Sequence, residues 1–231
     1  MTRSVMIDRI DRIEAFVRKT MDTVVNPDLR IGHDIKHVER VRNNALTIAR
    51  AEGFADLDLV EAAALLHDIG LAHVETGGNH GPIGAEIAAR FLREQHLFAE
   101  DEIAVIAKAI HNHSLIHGDW DTLGYILRDA DILDALGAVG LMRAFTSKYF
   151  KPEYDPECVK GETWGLSADG FTARHVAGLG IGPTTMDQIN LQISLIDELH
   201  TDTAQRIAEP LVAFMKAFVV ELEAQITHVE L

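Results

Sequence analysis

Apolar and polar residues alternate with a helical period along most of the chain. This spacing predicts amphipathic helices over about 5–24, 34–52, 56–68, 82–95, 100–113, 120–137 and 139–150. The second of them carries its core stripe on Val38, Val41, Ala45, Ile48 and Ala49. Asp34 and Asp56 stand where helix N-caps are expected. No segment shows a convincing strand pattern, so the predicted fold class is all-α.

Short breaks separate these helices. Asn26-Pro27-Asp28 predicts a turn, and Gly53 and Gly70 are each expected to end a helix. The segment 71–80 contains Gly77-Gly78-Asn79 and is expected to be a loop.

The pattern changes after residue 149. Six glycines and three prolines fall within 149–183, so most of this segment is expected to be irregular. Thr185 and Gln188 suggest a capping box for a helix through about Leu199. A last helix over 202–229 should kink or restart at Pro210. We therefore predict a single domain over 1–231, with a helical core at about 31–150, a Gly/Pro-rich loop insertion at 151–184 and C-terminal helices at 185–231.

Composition narrows the classes of function. The net charge of −15 argues against binding a nucleic-acid polymer, which requires a basic surface. No apolar run is long enough to cross a bilayer, and the first residues lack the apolar core of a signal peptide. The single cysteine, Cys158, fits a reducing compartment. We expect a cytoplasmic protein that binds no membrane, with a second copy of the chain as a candidate partner.

The most informative stretch is AAALLHDIG, from Ala62 to Gly70. His67 and Asp68 end an apolar helix, where burying them is costly unless something pairs them. A divalent metal ion would do so, and so would a plain His–Asp hydrogen bond. Neighbouring residues share an ion only beside a helix end, so further ligands must come from other helices.

Other polar residues on apolar helices are candidate ligands. Nine of the twelve histidines lie between His33 and His117, which points to one site in this part of the chain. His37 sits beside the core stripe of its helix, and Asp131 lies within an apolar helix. The residues alone do not distinguish Asp131 from Asp129 or Asp134.

Three motifs together resemble the HD-domain superfamily of metal-dependent phosphohydrolases, of the HDIG type. They are HxxRV at 37–41, LLHDIG at 65–70 and DADILDALG at 129–137. The resemblance covers roughly 31–150 and implies a helical HD-domain bundle. It also implies metal ligation by His37, His67, Asp68 and Asp131, with Asp68 as the catalytic residue. The C-terminal third is similar to the appended helices of bacterial HD hydrolases.

The resemblance extends to a second ion. Some HD proteins hold two ions through extra histidines, and His80 and His113 are similar to those positions, with Asp68 as the bridge. His111 competes with His113, and each could instead line the pocket without metal. The implied cofactor is one or two divalent ions, among Mn, Fe, Zn, Ni and Mg.

Such a site suits hydrolysis of phosphate esters or anhydrides. A bound ion lowers the pKa of its water, and the resulting metal-bound hydroxide can attack phosphorus. The expected substrate is a small phosphorylated, nucleotide-like molecule. Candidate phosphate contacts or supporting groups near the metal ligands are Arg40, His111, His117, Arg128, Arg143 and Lys148.

Two alternatives remain at this stage. A few HD-fold proteins are di-iron oxygenases with the same six-ligand pattern, and they would consume oxygen. Others are non-catalytic signalling or binding modules, which usually lack ligands that this chain retains.

Overall fold

The computed structural model describes residues 3–75, 78, 80–115 and 118–227; the side chains of 3–8 and Asp28 are outside this description. Within these ranges the secondary structure is helical, and the only β-type pairing is an isolated bridge between Asp155 and Cys158. The predicted all-α fold class is confirmed. Among the described residues, no helix has the length and apolar character needed to cross a membrane.

The chain divides into two compact units, Met1–Asp131 and Ile132–Leu231. The helices of the first unit are α1 (Arg3–Met21), α2 (Pro27–Gly32), α3 (Ile35–Ala51), α4 (Leu57–Leu66), α5 (His80–Glu94) and α6 (Glu100–Asn112), with a 3-10 helix at Ile69–His73. Helix α7 (Thr122–Asp134) spans the division. The one-domain organisation stays a prediction.

Helix α4 forms the centre of the first unit. It packs against α1, α3 and α6, and residues 62–66 are buried on every side. The predicted stripe of α3 is confirmed, because Val38, Val41, Ala45, Ile48 and Ala49 are fully buried. Asp34 caps α3 by accepting a hydrogen bond from the backbone N–H of His37. The apolar pattern thus places the end of α4, and with it His67, inside the unit.

Two local predictions for the first unit were wrong. The segment 26–28 is not a simple turn, because Pro27 begins the short helix α2. The segment after Gly70 is not all loop, because the 3-10 helix continues to His73. Gly70 lies inside this 3-10 helix and has no positive φ, so it does not act as a helix-ending residue there.

The second unit contains the Gly/Pro-rich segment and the C-terminal helices. Its further helices are α8 (Gly137–Ser147), α9 (Ala168–Val176), α10 (Thr185–Ser194) and α11 (Asp202–Thr227), with a 3-10 helix at Leu195–Glu198. Helix α10 packs against α8, α9 and α11.

Three features of this unit bear on the predictions. Most of 149–183 is irregular, as predicted, but the segment also contains α9, whose first turn is capped by Ser167. The capping box of α10 is formed by Thr184 and Asp187, one position earlier than predicted. Helix α11 continues through Pro210 without a restart, and the alternative of a kink at Pro210 stays a prediction.

Candidate metal centre

The His67-Asp68 pair lies where α4 ends. His67 follows the last residue of α4 and is fully buried, and Asp68 precedes the 3-10 helix. Nδ1 of His67 lies 2.8 Å from the carbonyl oxygen of Ala64, one of the carbonyls that a helix end leaves without a helical partner. Because this nitrogen donates its proton to the carbonyl, the neutral ring presents the lone pair of Nε2 on its other side.

The side chain of His113 has the same arrangement at the end of α6. His113 caps that helix, and its Nδ1 lies 2.7 Å from the carbonyl oxygen of Ile110. Its ring is buried and meets the ring of His67 edge to face, with centroids 5.2 Å apart. Two helix C-termini therefore aim two imidazole Nε2 atoms at one region, where the helix dipoles also favour a cation.

Three side chains gather on one side of Asp68. His37 Nε2 lies 3.2 Å from His67 Nε2, 3.3 Å from Asp68 Oδ2 and 3.4 Å from Asp131 Oδ1. Asp68 Oδ2 is also 3.2 Å from His67 Nε2. Together with Asp68 these are the four residues that the resemblance implied as ligands, and they come from three places in the chain: α3, the junction between α4 and the 3-10 helix, and α7.

The other oxygen of Asp68 faces a second group. His80 Nε2 lies 3.4 Å and His113 Nε2 lies 3.7 Å from Asp68 Oδ1. The two imidazole nitrogens are 3.0 Å apart. One carboxylate therefore presents Oδ2 to His37 and His67 and Oδ1 to His80 and His113.

The arrangement fits a divalent ion better than a hydrogen-bond network. Ligand atoms bound to one ion at about 2.1 Å stand about 3.0–3.4 Å apart in tetrahedral or octahedral geometry. The separations around Asp68 Oδ2 fall in this range. Among the described residues, no hydrogen-bond donor is aligned with Asp68 Oδ2, although the atom is buried. In the two histidine pairs that bring Nε2 to Nε2, His67 and His113 each present a lone pair, so the space between the nitrogens holds either a proton donated by the partner histidine or a cation.

The electrostatics of the metal-free cluster show how strongly it favours positive charge. Burial lowers the pKa of His67, but the carboxylates of Asp68 and Asp131 outweigh this and raise it to about 9. Burial raises the pKa of Asp68, but His67 and His33 hold it well below its usual value. The pKa of Asp131 is also lowered, because His37 and His67 outweigh its burial.

His33 is a residue that the sequence analysis did not single out as a site residue. Its ring meets that of His37 edge to face, with centroids 5.5 Å apart. Its Nδ1 lies 3.0 Å from the carbonyl oxygen of Leu29 on α2. Helical spacing does not link it to His37, because His33 lies between α2 and α3. The available signal was its place in the histidine-rich part of the chain.

The remaining candidates occupy several environments. His111 is exposed on α6, whereas His113 is buried in the cluster. Arg128 is buried and donates to the carbonyl oxygens of His113 and Leu115. Arg40 is half-buried on α3 in the first unit. His117 lies outside the described residues.

Two candidates belong to the second unit. Arg143 pairs with Asp134 at 2.8 Å, and Lys148 is half-buried at the end of α8. Their roles toward a phosphate stay predictions, as do those of Arg40, His111 and Arg128.

Comparison with known proteins identifies the family. Residues 34–136 match the HD domain. The uncharacterized protein YpgQ of Bacillus subtilis is 29% identical over 219 residues, which cover 86% of this chain and 87% of YpgQ. The structure of YpgQ in complex with ADP superposes with a TM-score of 0.65, at 25% identity and covering 96% of each chain. A predicted HD-superfamily hydrolase from an uncultured Thermotogales bacterium superposes with a TM-score of 0.62, at 29% identity, covering 97% of this chain and 99% of that one. Residues 34–136 of this chain therefore form an HD domain, a member of the HD-domain superfamily.

Proposed function

We propose that the chain is a phosphohydrolase that cleaves a small, nucleotide-like phosphate ester or anhydride with one or two divalent ions. The observation that carries this proposal is the division of Asp68 between two ligand groups, Oδ2 toward His37 and His67 and Oδ1 toward His80 and His113. A carboxylate in this position suits a bridge between two ions. The Oδ2 group, completed by Asp131, would hold the first ion, and the Oδ1 group the second.

The residues determine what such a centre could do. Divalent ions held there would supply an activated water and neutralise charge on phosphoryl oxygens. Histidine nitrogens and carboxylate oxygens suit Mn, Fe, Zn, Ni or Mg to different degrees, and availability helps to decide among them. His37, His67, Asp68 and His113 are buried, which keeps these four ligands in position with little rearrangement.

A nucleotide-like substrate is supported by the related protein YpgQ, whose structure was solved in complex with ADP. The similarity to YpgQ extends over most of both chains. The net charge of −15 disfavours binding of a long nucleic acid. A small anion can still bind where metal ions make the local potential positive.

The direct test combines metal loading with a substrate screen. Chelator-stripped protein is reloaded with Mn²⁺, Fe²⁺, Zn²⁺, Ni²⁺ or Mg²⁺ and mixed with nucleoside mono-, di- and triphosphates and a short RNA. Release of phosphate or pyrophosphate is measured. We expect hydrolysis of at least one small phosphate compound, and its loss together with metal binding in Asp68→Ala. Metal-independent turnover, or normal turnover by Asp68→Ala, would overturn the proposal.

The same six side chains also fit a di-iron oxygenase, which is the second candidate function. His80 and His113 close to Asp68 Oδ1 are the observation in its favour, because that activity requires both histidines as ligands. Oxygen uptake by the iron-loaded chain with small organic substrates separates the candidates, since hydrolysis consumes no oxygen. A non-catalytic module would show neither reaction.

A further inference from the structure

Side chains, rather than a glycine cap, donate hydrogen bonds to the carbonyl groups at the end of α6. Helix ends leave several carbonyl groups without helical partners. At this end, the Ile110 carbonyl accepts from Nδ1 of His113 at 2.7 Å. The Asn112 carbonyl accepts from the indole Nε1 of Trp120 at 2.9 Å, and Arg128 donates to the His113 carbonyl at 3.3 Å. The candidate metal ligand His113 is therefore one of three side chains that satisfy this helix end.

The side chains of Arg128 and Trp120 also contact each other. The guanidinium of Arg128 lies over the Trp120 ring, 5.0 Å from its centroid. A second bond from Arg128 reaches the Leu115 carbonyl at 2.8 Å, which ties the chain just beyond His113. Arg128 is 7% exposed, so these bonds form in a largely water-free environment where each is strengthened.

The position of the His113 ring depends on this local backbone. His113 Nε2 must remain 3.0 Å from His80 Nε2 and near Asp68 Oδ1 for the second ligand group to form. The ring direction is set by the Ile110 carbonyl and the backbone of residue 113 itself. A change in the backbone path after Asn112 would therefore move Nε2 away from its partners.

We propose that Arg128 and Trp120 are positioning residues that hold His113 in place for the second metal ion. This inference rests on the proposed two-ion centre. Arg128 acts through the carbonyls of His113 and Leu115, and Trp120 acts through the carbonyl of Asn112 and as the surface under the guanidinium. The four residues of the first ligand group take no part in these bonds, so the first ion should keep its affinity when either residue is changed.

Metal titration of the stripped full-length chain tests the inference. The number of Mn²⁺ ions and the Kd of each are measured by calorimetry, with elemental analysis as a check. We expect Arg128→Met to weaken the second ion about 10–100-fold, as losses of groups that support a metal ligand commonly do. Arg128→Lys should recover part of the affinity, and Trp120→Phe, which keeps a ring but loses the indole donor, should show a smaller loss.

Arg9→Met is the matched control. Arg9 is also largely buried, lies 4.3 Å over the Phe98 ring and reaches the Leu97 carbonyl at 3.5 Å. Thermal unfolding of each variant reports whether the fold is retained, and Trp120→Phe replaces Arg128→Met if the latter fails to fold. We expect Arg9→Met to bind both ions as the unaltered chain does.

The outcomes separate this inference from the proposed function. Two ions in the unaltered chain, with the second affinity unchanged in Arg128→Met or Trp120→Phe, overturn the positioning role alone. Equal weakening of both ions also overturns it, because this would reflect general destabilisation. A single ion in the unaltered chain overturns both the two-ion centre and the inference, while hydrolysis with one ion would leave the phosphohydrolase proposal standing.

Discussion

The carbonyl oxygen of His80 lies 2.0 Å from the position that a Cβ on Gly70 would occupy. The backbone N–H of Gly84 is also close to this position, at 2.7 Å. Helix α5 therefore begins in direct backbone contact with the 3-10 helix that follows His67 and Asp68. Gly70 is needed for this close approach, which sets the distance between the Asp68 carboxylate and the first residue of α5.

We expect Gly70→Ala to weaken the second ion by at least about tenfold, an effect of the size seen when ligand support is lost. The added methyl group would clash with backbone rather than with a flexible side chain, so the start of α5 must move and carry His80 with it. Metal content per chain measures the effect. Gly53→Ala is the control, because Gly53 has a φ of +72° but no atom within 4 Å of an added Cβ. Two tightly bound ions in Gly70→Ala would contradict this account.

His33 is expected to orient His37 through the edge-to-face ring contact. His33→Ala removes this contact and the bond to the Leu29 carbonyl, so the first ion should bind about tenfold more weakly. His33→Phe keeps the ring contact without the nitrogen atoms, and we expect it to retain most of the affinity. Calorimetric titration with Mn²⁺ distinguishes the two variants. An equal loss of affinity in both variants would instead indicate that the nitrogen atoms of His33, rather than its ring contact, support the first ion.

The raised pKa of His67 predicts a pH dependence of the metal-free chain. His67 has a pKa of about 9 in the folded chain and 6.5 as its ordinary value. A raised folded pKa stabilises the fold fully below about pH 6.5, and this contribution is lost as the pH rises through about 9. The Tm of the metal-free chain should therefore fall between pH 6.5 and 9.

Metal loading should oppose this trend. An ion and a proton compete for Nε2 of His67, so the apparent metal affinity should rise over the same pH range. Thermal unfolding with and without Mn²⁺, in buffers from pH 6 to 9, measures both effects. A metal-free Tm that rises from pH 6.5 to 9 would contradict the assigned charge of the cluster.

We expect the buried carboxylate of Asp187 to stabilise the fold without affecting metal binding. Asp187 is fully buried and accepts hydrogen bonds from the backbone N–H and hydroxyl groups of both Thr163 and Thr184, at 2.8–3.1 Å. Asp187→Ala should lower the free energy of unfolding by about 3 kcal/mol or more, since it leaves buried donors unpaired. Denaturant unfolding measures the loss, with the exposed Asp169→Ala as control. We expect unchanged metal content, because the ligand groups lie in the first unit.

The spacing of apolar residues was sufficient to predict much of the helical structure of the first unit. The stripe of α3 and the apolar run of α4 were predicted from residue spacing, because burial of one helix face is encoded by residues a few positions apart. The HD motifs led to the family by the same local reading. The sequence did not predict α9 within 149–183, because the glycines and prolines of this segment have local preferences that oppose a helix.

The sequence by itself determined the fold class and the apolar helices, and it predicted a set of candidate metal ligands. Residue spacing did not separate Asp131 from Asp134, although the HD resemblance favoured Asp131. The tertiary structure separates them, because Asp131 lies beside His37, while Asp134 pairs with Arg143. It likewise placed His113 in the cluster and left His111 exposed. These choices depend on where the helices α3, α4, α6 and α7 end and cross, and such long-range distances are set by packing rather than by spacing along the chain.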